Sequence, residues 1–105
     1  MSILEEKFVL PCGQILKNRI CKAAMTERIA DGNNYANHFH TSLYEKWADG
    51  NIGILLTGNV QVDKGYLESA GNVAIEKSSY KEQIPMLKNW AEVGTRNNTQ
   101  LWMQI

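Results

Sequence analysis

The sequence is short of the features that mark most specialised protein classes. It has two prolines and two cysteines in 105 residues, and no excess of either charge: 11 basic residues balance 11 acidic ones. Cys12 and Cys21 have neither the spacing of a CxxC redox pair nor that of a zinc site, and no further cysteine completes one. They read as ordinary reduced thiols. Without a Lys/Arg cluster there is no field for a phosphate backbone, so a nucleic-acid partner is not expected. No apolar run approaches the ~20 residues that cross a bilayer, so no membrane is expected either. The start, Met1-Ser2-Ile3-Leu4-Glu5-Glu6, is acidic and lacks the apolar core of a secretory signal. A cytoplasmic location is the expectation.

What is present is the composition of a globular α/β protein, 44% hydrophobic and 21% charged. Residues 7–16 are two short apolar runs around Pro11-Cys12-Gly13, which predicts a hairpin. A small, apolar run, Ile20 to Met25, predicts a buried strand in which Lys22 is out of place, and Thr26 to Asn37 reads as a polar loop. Phe39, Leu43 and Trp47 then recur at helical spacing with Tyr44 and Ala48 beside them. Asn37 or Thr41 caps that helix, and Gly50 ends it. His38 and His40, two residues apart at its start, do not face each other on a helix and read as loop or surface.

The continuous apolar run Ile52 to Thr57 fits a parallel strand covered on both faces. Gly58 to Ser78 is a connection long enough to suggest a functional loop. The second helix is expected to begin two or three residues after Lys81, which keeps Pro85 among the unbonded N–H groups of the first turn. Ile84, Leu87, Trp90 and Ala91 form its expected buried stripe. A third strand begins near Gln100, and the chain ends within it, which reads as the opening third of a larger α/β enzyme.

The order hairpin, β, α, β, α, β implies right-handed crossovers and a parallel sheet. Three strands cannot close a barrel, whose eight βα units need ~250 residues, and an open doubly wound sheet remains an alternative on pattern alone. In either architecture, ligands bind at the carboxyl ends of the strands. Those ends read Ala23-Ala24-Met25-Thr26, Thr57-Gly58-Asn59 and Met103-Gln104. A hydroxyl, a glycine beside polar groups and a carboxamide make no nucleophile–base pair. They suit recognition of a planar ligand with an imide-like edge.

The motifs have a familiar order. Leu10-Pro11-Cys12-Gly13, Leu16-Lys17-Asn18-Arg19-Ile20 and Ala23-Ala24-Met25-Thr26 come first. Tyr44 through Gly53, Leu56-Thr57-Gly58-Asn59-Val60, Gln83-Ile84-Pro85 and Leu101-Trp102-Met103-Gln104 follow. The series resembles the N-terminal part of the old yellow enzyme family, the FMN-dependent NAD(P)H:flavin oxidoreductases and ene-reductases. Cys12 stands where that family usually has Asn, and Ala24 where it has Pro.

The resemblance implies the N-terminal portion of a TIM (β/α)8 barrel, with hairpin 7–16 plugging its lower end and residues 19–105 giving the first three strands and two helices. It implies FMN at the upper mouth, with Ala24, Met25 and Thr26 bordering the ring and Thr26 near the carbonyl at C4. Gly58 would let the backbone approach the flavin, and Gln104 would bond its imide edge. The implied reaction is ping-pong: NADH or NADPH reduces FMN, which passes hydride to a small-molecule acceptor such as an electron-poor alkene or quinone. No catalytic residue is expected within 1–105. The substrate-anchoring His-x-x-Asn or His-x-x-His pair, the proton-donating Tyr and the phosphate site belong to later strands, so the 105 residues alone are expected to be inactive. The competing readings are a truncated, non-catalytic paralogue acting as an interaction module, and a small self-contained α/β binding domain.

Overall fold

A computed structural model describes residues 2–105. A hairpin of β1 (Phe8–Val9) and β2 (Ile15–Leu16) opens the chain, pairing Phe8 with Leu16 and Val9 with Ile15. Its turn closes through Leu10 N–H to Gln14 O at 2.8 Å, and Gly13 takes the positive φ of 92° that the tight turn requires. Then follow β3 (Cys21–Lys22), α1 (His38–Asp49), β4 (Ile54–Leu56), β5 (Val60–Gln61), β6 (Val73–Ala74), α2 (Tyr80–Gly94) and β7 (Gln100–Trp102). Strands β3, β4 and β7 form one parallel sheet in the order β3-β4-β7, with Cys21 opposite Ile54 and Ile54 opposite Gln100. Sequential order with a helix between neighbours is the βαβα pattern expected from the sequence.

Both helices cover the same face of this sheet. Leu55 of β4 is fully buried in one cluster with Tyr44 and Ala48 of α1 and Trp90 of α2. The aromatic rings meet edge-on, Tyr44 to Trp90 at 5.3 Å between centroids. The other face carries Cys21, Ile54 and Trp102, by the alternation of the pleat, and no helix packs there. Trp102 is 43% exposed on that side. Against its lower edge lies the hairpin, with an open cleft of about 240 Å³ lined by Phe8, Leu16, Asn18, Arg19, Ile20, Cys21 and Ile54. Buried Asn18 ties the entry of β3 to the turn before β4, donating to Asn51 O at 2.8 Å and accepting from Ile20 N at 3.0 Å.

The strands are shorter than the apolar runs, and three details of the helices differ from expectation. The buried residues of α1 are His40, Tyr44 and Ala48, whereas Phe39 is 57% exposed and Leu43 and Trp47 are half-buried. His40 is therefore a core residue and not a surface one. Its Nδ1 accepts from Asn37 N at 3.2 Å, completing the cap of α1, and its ring packs 4.9 Å from Trp90. The helix α2 starts at Tyr80, so Pro85 lies inside it. Its start is set by Gln83, whose Nε2 donates to Ala74 O at 2.9 Å and docks the first turn on the preceding strand. Gln83, Trp90 and Gly94 are its buried residues, while Ile84 and Ala91 face outward. Lys22 is accommodated in β3 because its Nζ lies 4.5 Å over the Trp47 ring and donates to Ala23 O at 2.6 Å.

Burial holds the His40 pKa below its usual value of 6.5. The unfolded chain then takes up the proton first, so this contribution to stability is complete above 6.5 and is lost as pH falls through that value toward the folded one. Urea midpoints at about pH 7.5 and about pH 5.5 are expected to show this loss, and H40Q to reduce the pH dependence. An identical pH profile in H40Q contradicts it.

Candidate functional site

The carboxyl ends of β3, β4 and β7 converge, and three side chain or backbone links join them. Thr26, beyond β3, donates its hydroxyl to Asn59 Oδ1 at 2.9 Å, beyond β4. Buried Thr57 accepts from Gln104 N at 3.0 Å, and Val60 N donates to Gln104 O at 2.9 Å, which ties the end of β4 to the chain after β7. Glu27 accepts the Tyr44 phenol O–H and, at 3.2 Å, the Gly58 N–H, so β3, α1 and β4 meet at one carboxylate. Tyr44 is fully buried, and burial, with Glu27 beside it, pushes its phenol well above the usual tyrosine range. The phenol is a fixed donor, not an acid.

The structure thus brings Met25, Thr26, Gly58 and Gln104 to one end of the sheet. Met25 is 57% exposed, Thr26 and Gln104 are exposed, and Ala24 is half-buried. The requirement for glycine at 58 arises inside the chain. A Cβ there would overlap Met25 O and the Glu27 carboxylate, so bare backbone allows β3 and β4 to close up. The sequence reading missed Glu27 and the polar role of Tyr44, and it placed Asn59 at a strand end without giving it a role. The only sequence signal for them was position: Glu27 and Asn59 each directly follow a residue singled out at a strand end.

The long connection after Gly58 is more ordered than its composition suggests. Within it β5 (Val60–Gln61) pairs in parallel with β6 (Val73–Ala74). The β3–α1 loop docks on it through Ala30 N to Gly71 O at 3.0 Å, Ala74 N to Asn34 O at 2.8 Å and Asn34 Nδ2 to Asn72 O at 3.1 Å. Gly71, at φ 88°, lies where a side chain would strike the Arg28 backbone. The two loops above the strand ends are therefore one packed unit.

The donor set at these ends is an exposed hydroxyl, an exposed carboxamide and an exposed thioether. Hydroxyl and carboxamide together offer donors and acceptors, as a flavin's alternating carbonyl and N–H edge requires, and the thioether offers a polarisable apolar surface to a ring. The residues fit a flavin edge. Among the described residues no group of three or more His, Cys, Asp or Glu side chains is placed to hold a metal ion. No helix among them is long and apolar enough to cross a membrane.

No protein-family model matches the chain. It is 34% identical over 97 residues to an NADH-dependent flavin oxidoreductase of Hypocrea jecorina, an alignment covering 91% of this chain and 24% of that protein. With an NADH-dependent flavin oxidoreductase of Talaromyces variabilis it shares 36% identity over 103 residues, 97% of this chain and 25% of the relative. The chain thus spans about a quarter of the length of these curated relatives. Among solved structures, Old Yellow Enzyme from a Pichia species superposes with a TM-score of 0.82 at 19% identity, over 97% of this chain and 25% of that one. The fold is that of one portion of the barrel. The bare apolar face opposite the helices is the face a barrel turns inward, whereas a doubly wound sheet covers both of its faces with helices. The resemblance to the N-terminal part of the old yellow enzyme family, read first from sequence motifs, is borne out in sequence and in fold.

Proposed function

We propose that this chain, built as the N-terminal part of an old yellow enzyme-type barrel, forms one side of the FMN site of an NAD(P)H-dependent flavin oxidoreductase. The observation that supports the reading most is the convergence of Met25, Thr26, Gly58 and Gln104 at the carboxyl ends of β3, β4 and β7. When bound, FMN would supply the redox chemistry of hydride transfer from NADH or NADPH to an electron-poor alkene or quinone. The residues of this chain bind and orient. Thr26 and Gln104 would meet the polar edge of the ring, and Ala24 and Met25 its apolar surface. Glu27, Tyr44 and Gly58 hold the two strand ends at a fixed separation. The packed loops after β3 and β4 wall the site on one side.

These contacts reach one rim of the ring, and the phosphate clamp implied by the family resemblance belongs to later strands. The isolated 105-residue chain is therefore expected to bind FMN weakly or not at all and to oxidise no NADH. The protein from the complete reading frame is expected to bind FMN one to one. Flavin fluorescence titration and NADH absorbance check both. Stoichiometric flavin with turnover in the 105-residue chain contradicts this division of the site. Absence of flavin binding by the complete protein favours a non-catalytic paralogue.

A further inference from the structure

We infer that Asn59 is a positioning residue that sets whether Thr26 offers a proton or a lone pair to the flavin edge. The inference rests on the flavin reading above and deepens it. A threonine hydroxyl has one proton and two acceptor sites. In this structure the proton goes to Asn59 Oδ1 at 2.9 Å, so the remaining positions on Thr26 Oγ1 can only accept. A flavin carbonyl is also an acceptor, and against this arrangement it finds no donor.

Asn59 can reverse the polarity without moving a strand. A carboxamide is nearly symmetric in shape, with an acceptor at one end and a donor at the other. Turned over, it gives an Nδ2–H to Thr26 Oγ1 and frees the hydroxyl proton to point outward. The surroundings bias the choice. Glu68 lies in the loop that docks over the strand ends, with its Oε1 3.9 Å from Arg28 Nη2 and its Oε2 accepting from Ser69 Oγ at 2.6 Å. Its carboxyl is held below the usual range by Ser69 first, with Asn72, Arg28 and Asn59 adding to the effect. A carboxylate only accepts, so its charge in this loop favours the amide orientation seen here, with Oδ1 turned to Thr26. Asn59 and Thr26 thus form a directed pair in this structure, with the Thr26 proton turned to Asn59 and its lone pairs left for the proposed ligand.

Two replacements of Asn59 separate this from a structural role. N59D accepts only and keeps the Thr26 proton. N59L makes no hydrogen bond and releases it. T26A is then combined with each, in the flavin-loaded protein from the complete reading frame. The readout is the ratio of affinities for reduced and oxidised FMN, from potentiometric titration against free FMN. With N59L, T26A is expected to lower the preference for reduced flavin by up to about tenfold, the worth of one net hydrogen bond. With N59D, T26A is expected to change it less than about twofold. Equal effects of T26A on both backgrounds overturn the inference while leaving Thr26 at the flavin. No effect of T26A on either background overturns the flavin reading itself. Thermal midpoints confirm folding, and N59A replaces N59L with the same expectations if the larger side chain unfolds the loop.

Discussion

Gly58→Ala is expected to dismantle the strand-end site. The added methyl would overlap Met25 O and the Glu27 carboxylate. The carboxylate tip can swing away, but Met25 O is backbone, and moving it separates the exits of β3 and β4. Swinging Glu27 aside also strands the fully buried Tyr44 phenol and leaves Gly58 N–H only the Tyr44 oxygen at 3.3 Å. Each buried donor left unpaired costs about 1–3 kcal/mol. A total loss of about 3 kcal/mol or more is expected, and in the protein from the complete reading frame FMN affinity is expected to fall at least about tenfold as Thr26 moves relative to Gln104. Urea denaturation and flavin titration check the two arms. A G58A protein with an unshifted urea midpoint contradicts the packing described at Gly58.

Trp90→Ala is expected to have the largest effect on stability, about 3–5 kcal/mol. The indole is 2% exposed and joins α2 to both α1 and the sheet, with His40 and Tyr44 centroids at 4.9 and 5.3 Å. Removing it leaves a cavity where those elements meet, against Leu55. Trp90→Phe is expected to cost far less, because the indole Nε1–H is buried without a hydrogen-bond partner and its loss forfeits no bond. Chemical denaturation of the two variants side by side measures the difference. Equal losses would show that the contribution is not one of packing area.

Much of this architecture was legible in the residues. The order of hairpin, strands and helices follows from apolar runs separated by Gly and Asn turns, and the convergence of three strand ends follows from parallel topology. The buried face of α1 was not legible. Phe39 looks like the natural core residue, but its neighbour His40 can cap the helix with one nitrogen and stack on Trp90, so the polar ring goes in and the phenyl stays out. Pro85 argued for a late start to α2, yet the Gln83 amide on Ala74 O fixes an earlier one. Propensity rules see neither contact, since both depend on residues that tertiary packing supplies. The same holds for the site. Thr26, Gly58 and Gln104 are recognisable by motif, whereas Glu27 and Asn59 gain meaning only from partners 31 and 33 residues away.

The strand-end account is tested most directly by titrating FMN into the apoprotein from the complete reading frame, as wild type and as Q104L. Gln104 backbone is held by Thr57 and Val60, while its exposed carboxamide takes no part in that pairing. Leucine of similar volume should therefore preserve the fold and remove only the contact to the ring. The account predicts an unchanged urea midpoint and FMN affinity weakened about tenfold. Equal affinity for FMN in the two proteins would contradict it and place the flavin away from these strand ends.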